Sequence, residues 1–236
     1  MDKRQKITCS KYPCSEKYYD DTYKTLCRGL PHLLMALGLL VYMVYMVFNI
    51  SVSAIGVFLC SLFSFLYHYT DASKYYYLSV VFVTLDYIGI NIAIHTIMYD
   101  IINSYTHSQS ISEPVYGFKD FLKNVILLGV IPEIIIFAYM YTKKIYNAIL
   151  SQLPHVINYL YIVYMLYIYD ALSYEMLLIL FMYKISFVIF FTKDNKIISK
   201  YWSQHDVFHL MICITKLTNL YYISSLNEQN QKIIID

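Results

Sequence analysis

Apolar runs of about twenty residues recur along most of this chain, and a helix needs about that many to cross a ~30 Å hydrocarbon layer. The chain has 236 residues, of which 58% are hydrophobic and only 14% charged, with a mean hydropathy of +0.48. Those values strain a reading as an ordinary soluble globular domain. Seven spans are expected, at Leu30 to Ile50, Ser53 to Tyr69, Tyr76 to Tyr99, Asn124 to Thr142, Leu153 to Tyr169, Ser173 to Thr192 and His205 to Ser224. The predicted fold class is an all-α membrane protein, a seven-transmembrane helix bundle over residues 30–224. A polar tail, 1–29, precedes the bundle and a short tail, 225–236, follows it, with a polar, Ser-containing loop from Ile101 to Lys123. The tail ahead of the first run is too long and too charged for the basic region of a cleaved signal peptide, so the first span is expected to be retained.

Basic residues set the direction of such a bundle, because they concentrate in cytosolic segments. With the N-terminus cytosolic, the inner segments hold thirteen Lys and Arg, seven of them in the N-terminal tail. The outer segments hold three, Lys119, Lys123 and Lys232, while Lys184 and Lys216 fall within spans. The N-terminus is therefore expected in the cytosol and the C-terminus outside or in a lumen. The expected location is an integral, multi-pass protein of an endomembrane or the plasma membrane.

Other features are less directive. The five cysteines, Cys9, Cys14, Cys27, Cys60 and Cys213, are odd in number and scattered, so no disulfide framework is expected. Cys9 and Cys14 have a loose metal-like spacing with no second pair behind it. A net charge of +2 gives no case for nucleic acid as a partner. The 28 tyrosines beside few Gly and Pro read as codon bias toward adenine and thymine, without mechanistic content.

Ionisable side chains inside a bilayer are costly, and each needs a partner or a task. Ser64 and His68, in "SFLYHYT", lie near the cytosolic end of the second span. Asp86, in "VTLDYIGI", ascends from that face in the third, and His205 and His209, in "HDVFH", open the seventh. All lie within roughly 15 Å of one membrane face at 1.5 Å per helical residue. Residues four apart share a helix face, so His205 and His209 are able to address one ion. Three imidazoles suit zinc with a fourth position left for water, which zinc makes a nucleophile near neutral pH. Asp86 then serves as proton acceptor or partner of a ligand, and Ser64 as a hydroxyl donor. The bland alternative is a set of helix-to-helix hydrogen bonds at the membrane edge. A zincin reading of "HDVFH" would place Asp206 where that motif has Glu. Asp206 is shorter, and zincin helices belong to soluble domains.

Elsewhere, Glu133 follows Pro132 in the fourth span, either marking a substrate cavity or pairing with Lys184. Lys184 and Lys216 are expected to snorkel or pair. His95 and Asn91 read as structural, and His32, His107 and His155 lie at span ends or in a loop with no assigned chemistry.

Ser-x3-His ending the second span, Asp in the third and His-x3-His opening the seventh resemble the CREST superfamily of seven-span metal-dependent membrane hydrolases. Its members include alkaline ceramidases, progestin and adipoQ receptors, hemolysin III proteins and a transmembrane-protein-8-like group. The resemblance spans residues 30–224 but is carried by Ser64, His68, Asp86, His205 and His209. "YHYTDAS" and "LDYIGI" look most like the transmembrane-protein-8-like branch. The Glu-x2-Asn element of the receptors and the calcium-binding segment of the ceramidases have no counterpart here. The resemblance implies zinc held by His68, His205 and His209, with Ser64 and Asp86 beside the reacting water. The implied activity is hydrolysis of an amide or ester bond in a membrane lipid. The alternative is a receptor, scaffold or hemolysin-like protein with a structural zinc.

Overall fold

The computed structural model describes residues 29–46, 50–70, 76–107, 116–143, 148–191 and 204–235, and every regular element among them is a helix. The cysteines at 9, 14 and 27, Asp71 and the whole Lys193 to Lys200 stretch lie outside the described residues. So do the side chains of His107, Lys184, His205 and Asp206. The helices are α1 (Leu30–Tyr45), α2 (Val52–Tyr69), α3 (Tyr76–His107), α4 (Phe118–Lys143), α5 (Ala148–Ile168), α6 (Tyr174–Phe191) and α7 (Gln204–Ile235). Of these, α4 is one continuous rod whose middle, Val125–Val130, winds as a π-helix.

Three stretches are long and apolar enough to cross a membrane: Val52–Tyr69, Val80–Tyr105 and Phe118–Lys143. Leu30–Tyr45 and Tyr174–Tyr183 are apolar but shorter. In α5 the apolar run is diluted by Tyr159, Tyr161, Tyr164 and Tyr167, and in α7 by Lys216, Asn219 and the polar residues beyond Ile223. Several helices outrun the spans expected from hydropathy. α3 continues to His107 and α4 starts at Phe118, so much of the expected 101–123 loop is helical. α7 runs on to Ile235 through the expected C-terminal tail. The reason is side-chain pairing that hydropathy does not register. Ser104 donates to Asn227 Oδ1 at 2.8 Å, and Asn103 exchanges two bonds with the backbone of Tyr116.

α3 is the hub, packing against α2, α4, α5 and α7. Its Met98, Ile101 and Ile102 are fully buried with Val57 of α2 and Leu166 of α5. α2 and α3 approach closely because Gly56 has no side chain; a Cβ there would overlap the Thr96 hydroxyl. The packing is inverted relative to a soluble protein. Leu34, Val41, Ile135, Leu160 and Phe181 face outward, whereas Ser53, Ser61, Asn91, His95, Glu133 and Asn219 are buried. Such an apolar exterior is the surface a bilayer would cover.

The helix ends are satisfied locally. Ser51 Oγ accepts from Ala54 N at 3.2 Å and the Asp100 carboxylate from Ser53 N at 2.7 Å, which covers two orphan donors opening α2. At the α5 end, Asp170 is left-handed (φ 53), with Ala171 N bonded to Leu166 O and Asp170 N to Tyr167 O. This is the paired closure of a Schellman motif, and it turns the chain directly into α6.

Candidate functional site

α1, α2, α3 and α7 pack on one another and carry the expected site residues on one end of the group. His68 is the penultimate residue of α2, and Ser64 lies one turn before it on the same face. Both are buried, as are Asp86 on α3 and His209 on α7. The rings of His68 and His209 meet edge to face with centroids 4.3 Å apart. Ser64 is hydrogen-bonded to the Asp86 carboxylate. A hydroxyl can only donate to a carboxylate, so Ser64 fixes one carboxylate oxygen. The other, Asp86 Oδ1, is buried and accepts no hydrogen bond among the described residues. His205 sits one turn before His209 on α7, its side chain lying outside the described residues. Four of the five expected residues thus gather at one end, and the backbone brings the fifth to the same turn.

The structure adds a residue that sequence reasoning passed over. His32, on the first turn of α1, places Nε2 at 2.7 Å from His209 Nδ1. Its ring stacks parallel to His68 with centroids 6.2 Å apart, and its Nδ1 lies 3.6 Å from Cys213 Sγ. Gly29 makes this placement possible. Its left-handed backbone (φ 78) leads into Pro31 at the helix start, and a Cβ at Gly29 would come to 3.2 Å from His68 Cβ. A signal for His32 existed: it opens the first span, and charge counting puts that end at the same membrane face as His68.

The chain from Cys213 through His32 to His209 has two possible proton orders. In one, His209 Nδ1–H donates to His32 Nε2 and His32 Nδ1–H points at the Cys213 sulfur. That order makes His209 Nε2 the lone-pair nitrogen of the ring. A ligating histidine characteristically donates its other ring N–H to such a neighbour, which fixes tautomer and ring orientation.

Lys216 continues the same α7 face two turns beyond His209. It does not snorkel: it is buried and donates to Cys60 Sγ of α2 at 2.9 Å.

The donors suit zinc. Imidazole nitrogens with an orphaned carboxylate oxygen beside them are the ligand chemistry of that ion. Two nitrogens on one tetrahedral zinc stand about 3.3 Å apart at Zn–N distances of about 2.0–2.1 Å. The 2.7 Å between His32 and His209 is instead a hydrogen bond. His32 therefore reads as the partner that orients His209. Among the described residues, no three His, Cys, Asp or Glu side chains are grouped closely enough to hold an ion. The third histidine of the expected set is His205, which lies outside that description.

No protein-family model and no curated protein matches the chain.

Proposed function

We propose that this chain is a multi-pass, seven-span membrane hydrolase of the CREST type, with its N-terminus cytosolic, that cleaves an amide or ester bond of a membrane lipid. The observation that carries the reading is that His68 packs on His209 while Ser64, one turn before His68 on α2, bonds to Asp86, all four being buried. His68, His205 and His209 are the residues that would hold zinc. Bound there, zinc supplies a Lewis acid that polarises a carbonyl and acidifies water.

The chain's own residues do the rest. Asp86 Oδ1 is the bare acceptor able to take a proton from the attacking water and return it to the leaving group. Ser64 occupies the other carboxylate oxygen, so only one faces the reaction. His32 holds the His209 ring. The outward faces of α1 and α2 are apolar, with Leu34, Val41 and Ile55 exposed, so acyl chains are able to lie along the helices while water enters from the end. Purified protein should carry about one zinc per chain and release fatty acid from a lipid amide or ester. Asp86→Asn should keep the metal and lose turnover. Turnover that survives in Asp86→Asn would refute this assignment.

One observation favours a second reading. His32 beside His68 and His209 puts a third described imidazole at this end, and in this reading zinc would displace the His32–His209 hydrogen bond and take His32 as its fourth ligand, leaving no open position. The protein would then be a receptor, scaffold or hemolysin-like protein with a structural zinc. In that case His32→Ala should open the site and melt the α1, α2, α7 end, whereas an orienting His32 should leave the fold intact.

A further inference from the structure

A second polar cluster lies between α3, α4 and α5, away from the histidine end. Its origin is the irregular backbone of α4. Ile131 N–H bonds back to Ile126 O in the π-turn, and Pro132 follows at once. A proline has no N–H for the carbonyl four residues earlier, which here is Leu128 O. Asn158 of α5 takes that role, donating from Nδ2 to Leu128 O at 3.0 Å and to Pro154 O at 2.8 Å. Asn91 of α3 likewise donates to Gly129 O at 3.1 Å and to Glu133 Oε1 at 2.9 Å. Gly129 admits this contact, since a Cβ there would stand 3.2 Å from Asn91 Cβ.

Backbone carbonyls only accept, so both amides are fixed with nitrogen toward the carbonyls and oxygen toward a histidine. Asn91 Oδ1 lies 2.7 Å from His155 Nδ1, and Asn158 Oδ1 lies 2.7 Å from His95 Nε2. Each imidazole must donate through that nitrogen. A neutral imidazole has one N–H, so His155 Nε2 and His95 Nδ1 are lone-pair acceptors. Both are buried with no hydrogen-bond partner among the described residues, and so is Glu133 Oε2. Every donor of the two amides is spent, and three acceptors remain.

An apolar interior does not tolerate that imbalance, least of all around a carboxylate. Glu133 has no lysine or arginine partner among the described residues; its neighbours are His155, with Nδ1 at 3.6 Å from Oε1, and Asn91. The other titratable groups facing the cluster are His95, Tyr87, whose ring stacks on His155 at 5.0 Å, and Tyr161, whose ring lies 5.8 Å from that of His95. A metal is the poorer match, because no three metal-binding side chains are grouped among the described residues. A proton needs no coordination shell.

We propose that the α3–α4–α5 cluster is a proton-binding site in which Glu133 takes up and releases one proton at Oε2, in a cluster whose other unpartnered polar atoms, His155 Nε2 and His95 Nδ1, are also acceptors. Uptake turns the carboxylate into a carboxylic acid and Oε2 from acceptor into donor. Release returns the proton to solvent and leaves the carboxylate held by Asn91. Infrared spectroscopy on the full chain in lipid nanodiscs tests this. At neutral pH the protein should show a carboxylic-acid C=O band that Glu133→Gln removes and Asp86→Asn leaves in place. Should Glu133→Gln fail to fold, wild-type protein grown with 13C-carboxyl glutamate decides instead, since the band should then shift. A spectrum with no such band, or a band insensitive to both treatments, would overturn the proposal. So would loss of one equivalent of bound metal from Glu133→Gln.

Discussion

At the histidine end, His32, His68, Asp86 and His209 each lie within about three turns of a helix terminus, where water and head groups come near. In the α3–α4–α5 cluster, Asn91, Glu133 and Asn158 are fully buried, the two amides donating to main-chain carbonyls and Glu133 accepting from Asn91. The first region holds together through contacts between side chains alone, His68 and His32 on His209 and Ser64 on Asp86. In the second, each amide repairs a carbonyl or anchors a carboxylate. The proposed chemical site and the amide network therefore use the same residue types, with opposite tolerance to change expected. Substitutions at the first should alter chemistry more than stability, and at the second the reverse.

The sharpest separation is expected at Asp86. Asp86→Asn keeps the shape and the Ser64 contact but removes the proton acceptor. Turnover should fall by about 10²–10⁴-fold, the usual worth of general acid–base catalysis, with zinc retained. Release of fatty acid from labelled lipid, paired with metal analysis, measures both. Next comes Asn91→Leu, which strips partners from Gly129 O, Glu133 Oε1 and His155 Nδ1 together. At about 1–3 kcal/mol for each orphaned buried group, the loss is several kcal/mol. A markedly lower melting temperature in detergent, with zinc still bound in the surviving folded fraction, is the expected outcome.

A smaller effect is expected at His32. If it orients His209, His32→Ala should weaken zinc binding by about 10–100-fold, the range for partners behind metal ligands, and shift the melting temperature only slightly. Competition with a zinc chelator reads this directly. Equal affinity in variant and wild type would return His32 to a packing role. The smallest change belongs to Tyr164→Phe, on the exposed face of α5. Stability should move by less than about 0.5 kcal/mol, because that residue faces outward and its hydroxyl has no buried task. A large shift there would mean that the face of α5 is not lipid-exposed.

Much of the first region was legible in the sequence. Apolar runs located the helices, and the lysine and arginine asymmetry put Ser64, His68, Asp86 and His209 at one depth, where the structure also gathers them. His32 followed from the same reasoning but was passed over, since a lone histidine at a helix start carries no spacing signal. His155 illustrates a different limit. It reads as a span-end residue with the expected span starting at Leu153, whereas α5 begins at Ala148 and buries it in the second turn. Glu133 was visible as a costly residue, but its partners Asn91 and His155 come from two other helices. That pairing depends on a π-turn and a proline-released carbonyl, neither of which has a periodicity to read. Lys216 was expected to snorkel or pair, and only packing against Cys60 decides between them.

Zinc content of the purified full chain is the most direct test of the metal-dependent reading. Wild type should carry about one zinc per chain, His68→Ala/His209→Ala close to none, and Glu133→Gln the wild-type amount. A wild-type protein without zinc after zinc-replete purification, or stoichiometric zinc in the double variant, would contradict it.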